Sequence, residues 1–402
     1  MNGKHNIKKM KKTAFIAILA AIGLFSCQNN EVQNNLPDMM SGRGFIAQPI
    51  EGQYIVVYKD QGILRAATIG GLVNPEMVMQ TTRDIFREAG ILNREPEFVY
   101  GNAFRGITVR LAKEEAAQLQ NNGNVAGVYP DMIVTYGLPV ALAKPTPVQP
   151  AEATPWGITR IGSSSDGTGK TAWIIDTGID LDHPDLNVDQ TRGKNFVLNS
   201  ALPDDDNGHG THCSGIIGAV DNNIGTIGVA AGATVVPIKV LNRKGSGTYS
   251  QIIAGIDYVA ANAKAGDAAN MSFGGSVYEP IDLAILNLSA KGVKIAIAAG
   301  NEAQNANNCS PARVNGTNIY TVSAMSKGDL WASYSNFANP PIDYCAPGSS
   351  IYSTYKGGSY ATLSGTSMAA PHVCGILLLG NITNDGTVIG DPDGNADPIA
   401  HL

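Results

Sequence analysis

Five apolar, β-branched segments separated by helical segments constrain the fold of this chain more than any other feature. The strand-like segments are TAWII (171–175), TVVPIKVL (234–241), AANMSF (268–273), VKIAIA (293–298) and IYTVS (319–323), and helices are predicted over 249–263 and 280–290. Near-continuous apolar strands are typical of a mostly parallel sheet that is covered by helices on both faces. We therefore predict an α/β domain over 155–402, with its site at the carboxyl ends of the strands.

A smaller domain precedes it, over residues 50–137. Strands are predicted at 54–58, 97–100, 104–111 and 125–129, with helices around 78–89 and 113–120. The order β-α-β-β-α-β predicts a ferredoxin-like α+β domain. Residues 28–49 before it are predicted to be a linker. Residues 138–154 are rich in proline and predicted to be extended, exposed and open to proteolysis.

The N-terminal residues 1–26 have the pattern of an export signal. Lysines precede an apolar run over 14–25, which is too short to span a bilayer, and Ser26-Cys27 follow. The segment LFSC also resembles a bacterial lipoprotein signal, in which Cys27 is acylated, although Phe25 departs from the usual small residue. We expect a lipid-anchored protein of the bacterial cell envelope, with ordinary secretion to the extracellular medium as the alternative.

Charge and composition exclude one class of partner. The formal net charge is −6, and loss of the five lysines in residues 1–26 makes it −6 − 5 = −11. Because nucleic-acid binding depends on positive charge, we expect no nucleic-acid partner.

Three polar segments follow a strand or open a helix in the larger domain. Asp176 lies in DTGID directly after a strand, His209 in NGHGTHC, and Ser367 in LSGTSMAAP at a predicted helix start. A serine hydroxyl needs a base to become a nucleophile, and the base needs an orienting acid. The three residues together therefore indicate a catalytic triad. Ser367 alone, at a helix start, would indicate only an N-terminal helix cap.

These segments resemble the signatures of the subtilisin-like serine peptidases (subtilases, family S8), and HGTHC is similar to the proteinase K branch. The resemblance extends over residues 150–380. It implies a three-layer subtilisin-like fold and hydrolysis of peptide bonds without a cofactor. Ser367 would attack the carbonyl, His209 would carry the proton and Asp176 would orient the ring. Asn301 and the Ser367 N–H would form the oxyanion hole.

The resemblance also implies where a peptide substrate binds as an added strand. The upper edge would be Gly245, Ser246 and Gly247, and the lower edge Ser272, Phe273 and Gly274. One wall of the first specificity pocket would be Ala298, Ala299 and Gly300. Because these wall residues are small, we expect space for a large apolar side chain.

A structural calcium ion is a further implication of the resemblance. Its ligands would be the side chains and carbonyls of Glu152, Asp185, Val220, Asn222, Ile224 and Thr226. The alternative is a solvated acidic loop. The acidic residues Asp204, Asp205 and Asp206 are interpreted as a solvated run and not as ligands.

The domain at 50–137 resembles an inhibitor I9-type propeptide, which assists folding, inhibits the enzyme and is then cut off. The alternative is a stable accessory domain. The resemblance allows a Cys309–Cys345 disulfide, and Cys213 and Cys374 would either pair or stay buried thiols. His212 and His372 are interpreted as structural residues, and His183 as a loop contact.

The resulting hypothesis is an exported serine endopeptidase made as an autoprocessed zymogen, with protein or peptide substrates. Its own propeptide would be its inhibitor, and acylated Cys27 its membrane contact. The alternatives are a peptide ligase or cyclase of the same fold, and an inactive subtilase-fold binding protein. The chain ends 402 − 367 = 35 residues after Ser367, fewer than the resemblance implies. Either closing strands are absent, or DPDGNADPIAHL takes their place.

Overall fold

An antiparallel sheet with two helices on one side forms the N-terminal domain. The computed structural model describes residues 45–59, 68–69, 72–73, 75–139, 149–197 and 202–402, all within one compact unit. The predicted signal 1–26, Cys27 and most of the predicted linker lie outside these residues. The elements of this domain are β1 (Ile46–Tyr58), β2 (Thr68–Ile69), β3 (Leu72–Val73), α1 (Pro75–Glu88), β4 (Pro96–Tyr100), β5 (Gly106–Arg110), α2 (Lys113–Gln120) and β6 (Val125–Thr135).

The main strands of this domain have the order β6-β1-β5-β4, all antiparallel. Helix α1 packs on the sheet through Val78, Ile85 and Phe86, which are buried at the helical spacing of the sequence. This strand order and the two crossing helices confirm the predicted ferredoxin-like α+β domain.

Two boundaries of the predicted linkers are wrong. Strand β1 begins at Ile46, inside the predicted linker 28–49, because β6 continues to Thr135 and its last residues pair with Ile46–Pro49. Residues 149–154 belong with the larger domain, since Ala151 and Ala153 bridge to Ile224 and Thr226.

The larger domain contains the predicted parallel sheet. Its elements are α3 (Trp156–Arg160), β7 (Ser165–Asp166), β8 (Thr171–Asp176), β9 (Asn187–Val188), β10 (Lys194–Asn195), α4 (His209–Gly218), β11 (Ala230–Ala231), β12 (Thr234–Lys239), β13 (Ser246–Thr248), α5 (Tyr249–Asn262), β14 (Ala268–Met271), β15 (Gly275–Ser276), α6 (Glu279–Ser289), β16 (Lys294–Ala298), β17 (Cys309–Ser310), β18 (Ile319–Ser326), β19 (Leu330–Trp331), β20 (Ile342–Pro347), β21 (Ile351–Tyr355), β22 (Ser359–Leu363), α7 (Thr366–Leu379), β23 (Thr383–Thr387) and β24 (Pro398–His401).

The sheet order is β10-β12-β8-β14-β16-β18-β20-β24-β23, with parallel pairing from β10 to β24. Strand β23 is antiparallel to β24, so the last residues of the chain extend the sheet beside β20. The segment DPDGNADPIAHL therefore supplies the strand β24.

Alternate residues of each central strand face opposite layers of helices. Trp173 and Ile175 of β8 pack in the cluster that contains α5 and α6, whereas Ile174 packs in the cluster that contains α4 and α7. All three side chains are fully buried. The result is the predicted three-layer α/β fold, in which polar side chains can meet only beyond the strand ends.

The site is positioned by a change of direction in the strand order. After β8 the chain forms β12 on one side, and after α5 it crosses to form β14 on the other. The carboxyl ends of β8 and β14 therefore flank a crevice, which is where ligands bind in open α/β sheets. None of the helices in the described parts of the chain combines the length and apolar character that crossing a bilayer requires.

The two domains are joined by hydrogen bonds to carboxylates and by a shared strand pair. Asp257 of α5 accepts the backbone N–H groups of three consecutive residues, 101–103, at 3.0, 2.6 and 2.7 Å. Asp131 of β6 is fully buried and accepts the N–H of Ser250 at 3.1 Å, in the first turn of α5. Strand β6 also pairs antiparallel with β13.

Helix α6 offers a matched test of the packing. Leu288 is fully buried against the sheet, whereas Leu286 is 42% exposed on the same helix. We expect Leu288→Ala to lower the free energy of unfolding by about 2–5 kcal/mol, because it leaves a cavity in the core. Leu286→Ala should change it by less than about 0.5 kcal/mol. Urea denaturation measures both values, and equal losses would contradict this packing.

Candidate active site

Asp176 and His209 form a buried hydrogen-bonded pair at the carboxyl end of β8. Asp176 is the last residue of β8, and His209 is the first residue of α4. The His209 Nδ1 lies 2.8 and 3.0 Å from the two Asp176 carboxylate oxygens, and both side chains are fully buried. The Thr177 N–H also donates to Asp176, at 2.7 Å. A carboxylate at Nδ1 places the ring proton there and leaves Nε2 as the acceptor.

Ser367 lies in the first turn of α7, where the sequence predicted a helix start. Its hydroxyl donates to the carbonyl oxygen of Ser272 at 3.0 Å. The His209 Nε2 is buried and has no hydrogen-bond partner within the described residues. The structure thus brings Asp176 and His209 into contact, whereas the Ser367 hydroxyl is engaged by Ser272. Catalytic hydrogen bonds are commonly formed only with substrate in place.

Pro371 determines the surroundings of the Ser367 carbonyl. Proline has no N–H, so the Ser367 oxygen lacks the helical partner four residues later. The Ser272 hydroxyl donates to this oxygen at 2.9 Å, and the Cys213 thiol donates to it at 3.4 Å. These contacts connect the first turn of α7 to β14 and to α4.

The Asn301 amide is held in one orientation by Thr366. The Asn301 Oδ1 accepts the Thr366 N–H at 2.8 Å and the Thr366 hydroxyl at 3.0 Å. The Thr366 hydroxyl in turn accepts the N–H of Gly300 at 3.1 Å. Because Oδ1 is occupied, the Nδ2 group of Asn301 is left to donate elsewhere. Sequence reasoning identified Asn301 but missed the role of Thr366.

The interpretation of Asp204, Asp205 and Asp206 as a solvated run is wrong for Asp205, whereas Asp204 and Asp206 are exposed. Asp205 is 5% exposed and accepts the hydroxyls of Thr177 and Thr211 at 2.9 and 2.6 Å. It also accepts the N–H groups of residues 207, 208 and 211. Asp206 pairs with the buried Lys239 at 2.7 Å. Consecutive acidic residues predict a solvent-exposed segment, and only the tertiary structure shows that the Asp205 side chain points inward.

Asp205 thereby joins the two loops that carry the Asp176–His209 pair. Thr177 directly follows Asp176, and Thr211 lies two residues after His209. Thr177 also receives the N–H of Gly210 at 3.0 Å. A buried carboxylate that satisfies five donors holds both loops in one geometry.

Residues 136–139 of the N-terminal domain lie in the cleft beside Ser367. Ser246 and Gly247 in β13 pair with the end of β6, and the Tyr136 N–H donates to the Gly245 carbonyl at 3.0 Å. The ring of Tyr136 packs on Phe273, with centroids 5.3 Å apart. The predicted upper edge therefore carries an added strand. Ser272, Phe273 and Gly274 line the opposite side of the cleft.

The chain approaches Ser367 closely at Pro139. A side-chain carbon built on Gly365 would lie 3.1 Å from Pro139 Cγ, so glycine is needed for this approach. The segment Tyr136–Pro139 thus lies next to the nucleophile candidate.

Two of the three residues predicted as a pocket wall lie at the surface of the cleft. Ala298 and Gly300 line the cleft, whereas Ala299 is fully buried beneath it against Ala306 and Ile342. Alternate residues of an extended segment face opposite sides, which explains the difference. Glu302, which the sequence reasoning missed, also lines the cleft, and burial raises the pKa of its carboxyl.

The six predicted calcium ligands lie together at one corner of the larger domain. Asp185 is fully buried; its carboxylate accepts the Asn222 amide at 2.8 Å and the Thr226 N–H at 3.1 Å. Glu152 accepts the Asn222 N–H at 2.6 Å. The Thr226 hydroxyl is buried without a partner among the described residues. Val220 and Ile224 belong to the same loop, since the Val220 N–H donates to the Asp185 carbonyl and the Ile224 N–H to Asn222.

This set of donors fits a hard cation. Burial raises the pKa of Asp185 to about 6, and the nearby charge of Glu152 contributes to the rise. Two carboxylates with an orphaned hydroxyl are an oxygen-rich set of the kind that Ca²⁺ takes.

Neither disulfide is present in the structure, in which Cys213, Cys309, Cys345 and Cys374 are buried free thiols. Each lies in a different hydrophobic cluster. The Cys309–Cys345 pairing that the resemblance allowed is therefore absent, and of the two alternatives for Cys213 and Cys374 the structure has the buried thiols. Burial raises the pKa of all four thiols, so none is an activated thiolate.

The three histidines that the sequence analysis interpreted as structural or loop residues have structural contacts. His183 meets the Ser359 carbonyl at 3.0 Å, His212 the Ile351 carbonyl at 3.1 Å, and His372 the Met368 carbonyl at 2.8 Å. Burial lowers the pKa of His212 to about 3 and that of His372 to about 4. His183 and His212 bridge packed elements, whereas the His372 contact lies within α7.

Comparison with known proteins decides the family. Residues 167–383, more than half of the chain, match the Subtilase family model of the S8 peptidases. The chain belongs to the subtilase family. Residues 53–136 of this subtilase match the Peptidase inhibitor I9 model. It is therefore a serine peptidase with an inhibitor-type domain before its catalytic domain, and the catalytic fold is the predicted one.

Three relatives illustrate the similarity. This subtilase is 34% identical over 390 residues to the Extracellular serine proteinase of Thermus sp. (strain Rt41A), covering 92% of this chain and 90% of that protein. It is 37% identical over 312 residues to Proteinase R of Parengyodontium album, covering 73% and 75%. It is 35% identical over 345 residues to Alkaline serine exoprotease A of Vibrio alginolyticus, covering 82% of this chain but 60% of that protein.

A solved structure agrees with the fold. The crystal structure of a cold adapted subtilisin-like serine proteinase matches this subtilase with a TM-score of 0.55 and 34% identity. The match covers 61% of this chain and 97% of that chain. Because the match covers nearly all of that chain at 34% identity, the catalytic domains of the two proteins share one fold.

Asp205 provides a sharp test of the site. Asp205→Asn replaces one acceptor oxygen by a donor NH₂ that would face N–H and O–H groups. We expect the free energy of unfolding to fall by about 2–4 kcal/mol, because several charge-assisted hydrogen bonds are lost. The neighbouring, exposed Asp204→Asn is the matched control and should change it by less than about 0.5 kcal/mol. Urea denaturation of both variants measures this, and a silent Asp205→Asn would refute the positioning role.

Proposed function

We propose that Ser367, His209 and Asp176 hydrolyse peptide bonds by the sequence of steps that serine peptidases use. The observation that carries the proposal is the buried His209 ring, whose Nδ1 is held by Asp176 while Nε2 has no partner in the described structure. The proton of the Ser367 hydroxyl passes to Nε2 as its oxygen bonds to the substrate carbonyl carbon. Asp176 stabilises the imidazolium that results.

The oxyanion of the tetrahedral intermediate would be held by Asn301 Nδ2 and the Ser367 N–H. Thr366 occupies the Asn301 Oδ1, so the amide is already turned to donate. As the intermediate collapses, Nε2 gives its proton to the leaving amine and the acyl group stays on Ser367. Water then attacks the acyl-enzyme with Nε2 as the base, releasing the acid and restoring the hydroxyl.

Protein substrates would bind as an added strand between residues 245–247 and residues 272–274. Support comes from β6, which already pairs with β13 in this manner. Main-chain pairing gives affinity for any extended peptide, and the side-chain pockets select among them. The wall at Ala298 and Gly300 leaves space for a large P1 side chain.

The I9-type domain would act as an inhibitor until the enzyme cuts itself free. Residues 136–139 lie in the cleft, which blocks entry of a substrate. On the other side of the cut, the carbonyl of Pro150 accepts the Gly225 N–H at 2.8 Å and Gln149 Nε2 donates to the Gly358 carbonyl at 3.0 Å. Because both flanks are anchored, we infer that the first cut falls between residues 139 and 149.

Export is supported by the signal-like residues 1–26 and by the Thermus relative, which is named an extracellular proteinase. We further propose acylation of Cys27, which would attach the enzyme to a membrane surface before or after maturation. A Cys27→Ala variant should lose incorporation of radiolabelled palmitate and leave the membrane fraction. Equal labelling of the parent and the variant would refute acylation at this residue.

Calcium is proposed as a structural ion held by Glu152, Asp185 and Asn222, with the carbonyls of Val220, Ile224 and Thr226. When bound, it would supply positive charge to the buried Asp185 carboxylate and to the partly buried Glu152 carboxylate. The chain's own residues then fix the segment before α3 against the loop at 220–226. No step of the proposed hydrolysis depends on this ion.

Replacement of the nucleophile tests the main proposal. Ser367→Ala should keep the full-length precursor intact and lower casein hydrolysis by roughly 10⁶-fold, because no acyl-enzyme can form. The parent chain should lose its I9-type domain and react with a fluorophosphonate. Ser364→Ala, which removes a hydroxyl three residues away, is the matched control and should mature normally. If the parent stays uncut and inert, hydrolysis by this chain is wrong.

The oxyanion role predicts a change in kcat. Asn301→Ala should lower kcat by about 10²–10³-fold with little change in KM, because the lost hydrogen bond forms only in the transition state. Peptide anilide kinetics separate the two constants. A rise in KM at constant kcat would instead indicate a ground-state contact.

The calcium proposal predicts a pH dependence with a definite sign. The pKa of Asp185 in the folded, metal-free chain is about 6, above its usual value, so folding favours the protonated carboxyl. The stability that this group contributes is present at low pH and is lost as the pH rises through 6. Ca²⁺ should therefore raise the melting temperature more at pH 8 than at pH 4.5. If Ca²⁺ raised the melting temperature equally at the two pH values, the proposed site would be contradicted. The same holds if the melting temperatures in Ca²⁺ and in EGTA did not differ.

A further inference from the structure

The turn between β23 and β24 carries oxygen side chains at every second position. We call Gly390–Asp397 the acid loop, and its oxygen-bearing residues are Asp391, Asp393, Asn395 and Asp397. The N–H groups of residues 393 and 397 both approach the Asp391 carboxylate at 3.3 Å. The Asn395 N–H donates to Asp393 at 2.8 Å. The backbone thus curls around the Asp391 and Asp393 carboxylates.

A second observation, independent of this curl, points to a ligand. Asp397 is 1% exposed, and its Oδ2 accepts the hydroxyl of Ser323, but its Oδ1 has no partner among the described residues. The Oδ1 of Asn339 is likewise buried and unpartnered, although its Nδ2 donates to the Asn395 carbonyl at 2.9 Å. Two orphaned buried oxygens beside one loop are costly unless something supplies positive charge to them.

The local charge favours a cation. No ion pair with Lys, Arg or His involves Asp391, Asp393 or Asp397 in the part of the chain that the structure describes. At neutral pH the loop therefore concentrates negative charge that the protein itself does not balance.

We propose that the acid loop binds Ca²⁺ through the carboxylates of Asp391, Asp393 and Asp397, with oxygens of Asn395 and Asn339. The donors are all oxygens, which suits a hard cation. The three carboxylates do not form a closed cluster with their oxygens within 4.8 Å of one another, so binding would draw the loop inward. Ca²⁺ tolerates such irregular geometry, whereas Mg²⁺ requires a near-ideal octahedron.

The place of the loop in the fold assigns the ion a structural role. The acid loop precedes β24, and Asn339 precedes β20, so both lie at the amino ends of these parallel strands. The Asp176–His209 pair lies beyond the carboxyl end of β8, at the opposite edge of the sheet. Asp397 also contacts Ser323 of β18. A bound ion would therefore fasten the last strand of the chain to β18 and β20, apart from the proposed ion at Asp185.

Calcium counting on the full chain tests this site without depending on catalysis. The parent would be the Ser367→Ala chain, freed of metal with EDTA, dialysed and titrated calorimetrically with CaCl₂. The loop variant carries Asp391→Asn and Asp393→Asn, both outside the core. Asp185→Asn removes the other proposed ion, and the exposed Asp166→Asn is the matched control. Circular dichroism checks that each variant folds. If the double variant does not fold, Asp393→Asn alone, at an exposed position, replaces it.

The loop variant should bind one Ca²⁺ fewer than the parent, and Asp166→Asn the same number. In the Asp185→Asn background, saturating CaCl₂ should raise the melting temperature by about 5–10 °C through the acid loop alone. MgCl₂ should give a much smaller rise. A loop variant that binds as many ions as the parent, with equal affinity, would overturn the proposal. Failure of the chain with Ser367 intact to hydrolyse casein would leave this count unaffected.

Discussion

Burial of the parallel sheet on both faces is the constraint on which the rest of the structure depends. Ile174 faces α4 and α7 while Trp173 and Ile175 face α5 and α6, so the strands have no solvated surface of their own. Polar chemistry can then occur only where strands end. Asp176 ends β8 and Ser272 follows β14, its neighbour in the sheet. Helices α4 and α7 start beside these ends and bring His209 and Ser367 to the same crevice.

Buried or partly buried carboxylates hold this arrangement together. Asp205 joins the loops after β8 and before α4 by accepting five donors, and Asp131 and Asp257 join the I9-type domain to α5. Each accepts backbone N–H groups, which compensates for the loss of hydration. Asp185 and Asp397 differ, since a buried oxygen without a partner among the described residues lies at each of them: the Thr226 hydroxyl beside Asp185, and Oδ1 of Asp397 itself. This contrast separates carboxylates that the protein satisfies from those that favour a cation.

Much of the site could be predicted because its residues lie in long, contiguous segments. DTGID, NGHGTHC and GTSMAAPH place Asp176, His209 and Ser367 next to a strand end or a helix start, and the apolar strands follow from their composition. Two of the errors arise from contact between residues distant in sequence, and one arises from the local alternation of an extended backbone. Ala299 is turned under the cleft by the extended backbone, Asp205 is turned inward by Thr177 and Thr211, and Ile46 joins β1 only because β6 extends to meet it.

The sequence by itself determined the α/β class, the small ferredoxin-like domain and the segments that carry the triad, because these depend on local periodicity and on motifs that are contiguous in the chain. Only the tertiary structure decided that the four described cysteines stay unpaired, that residues 136–139 lie beside Ser367, and that Asp397 keeps an oxygen without a donor. Whether two cysteines pair, whether a segment blocks the cleft and whether a buried oxygen finds a donor all depend on which surfaces meet in three dimensions. No spacing along the chain specifies those distances.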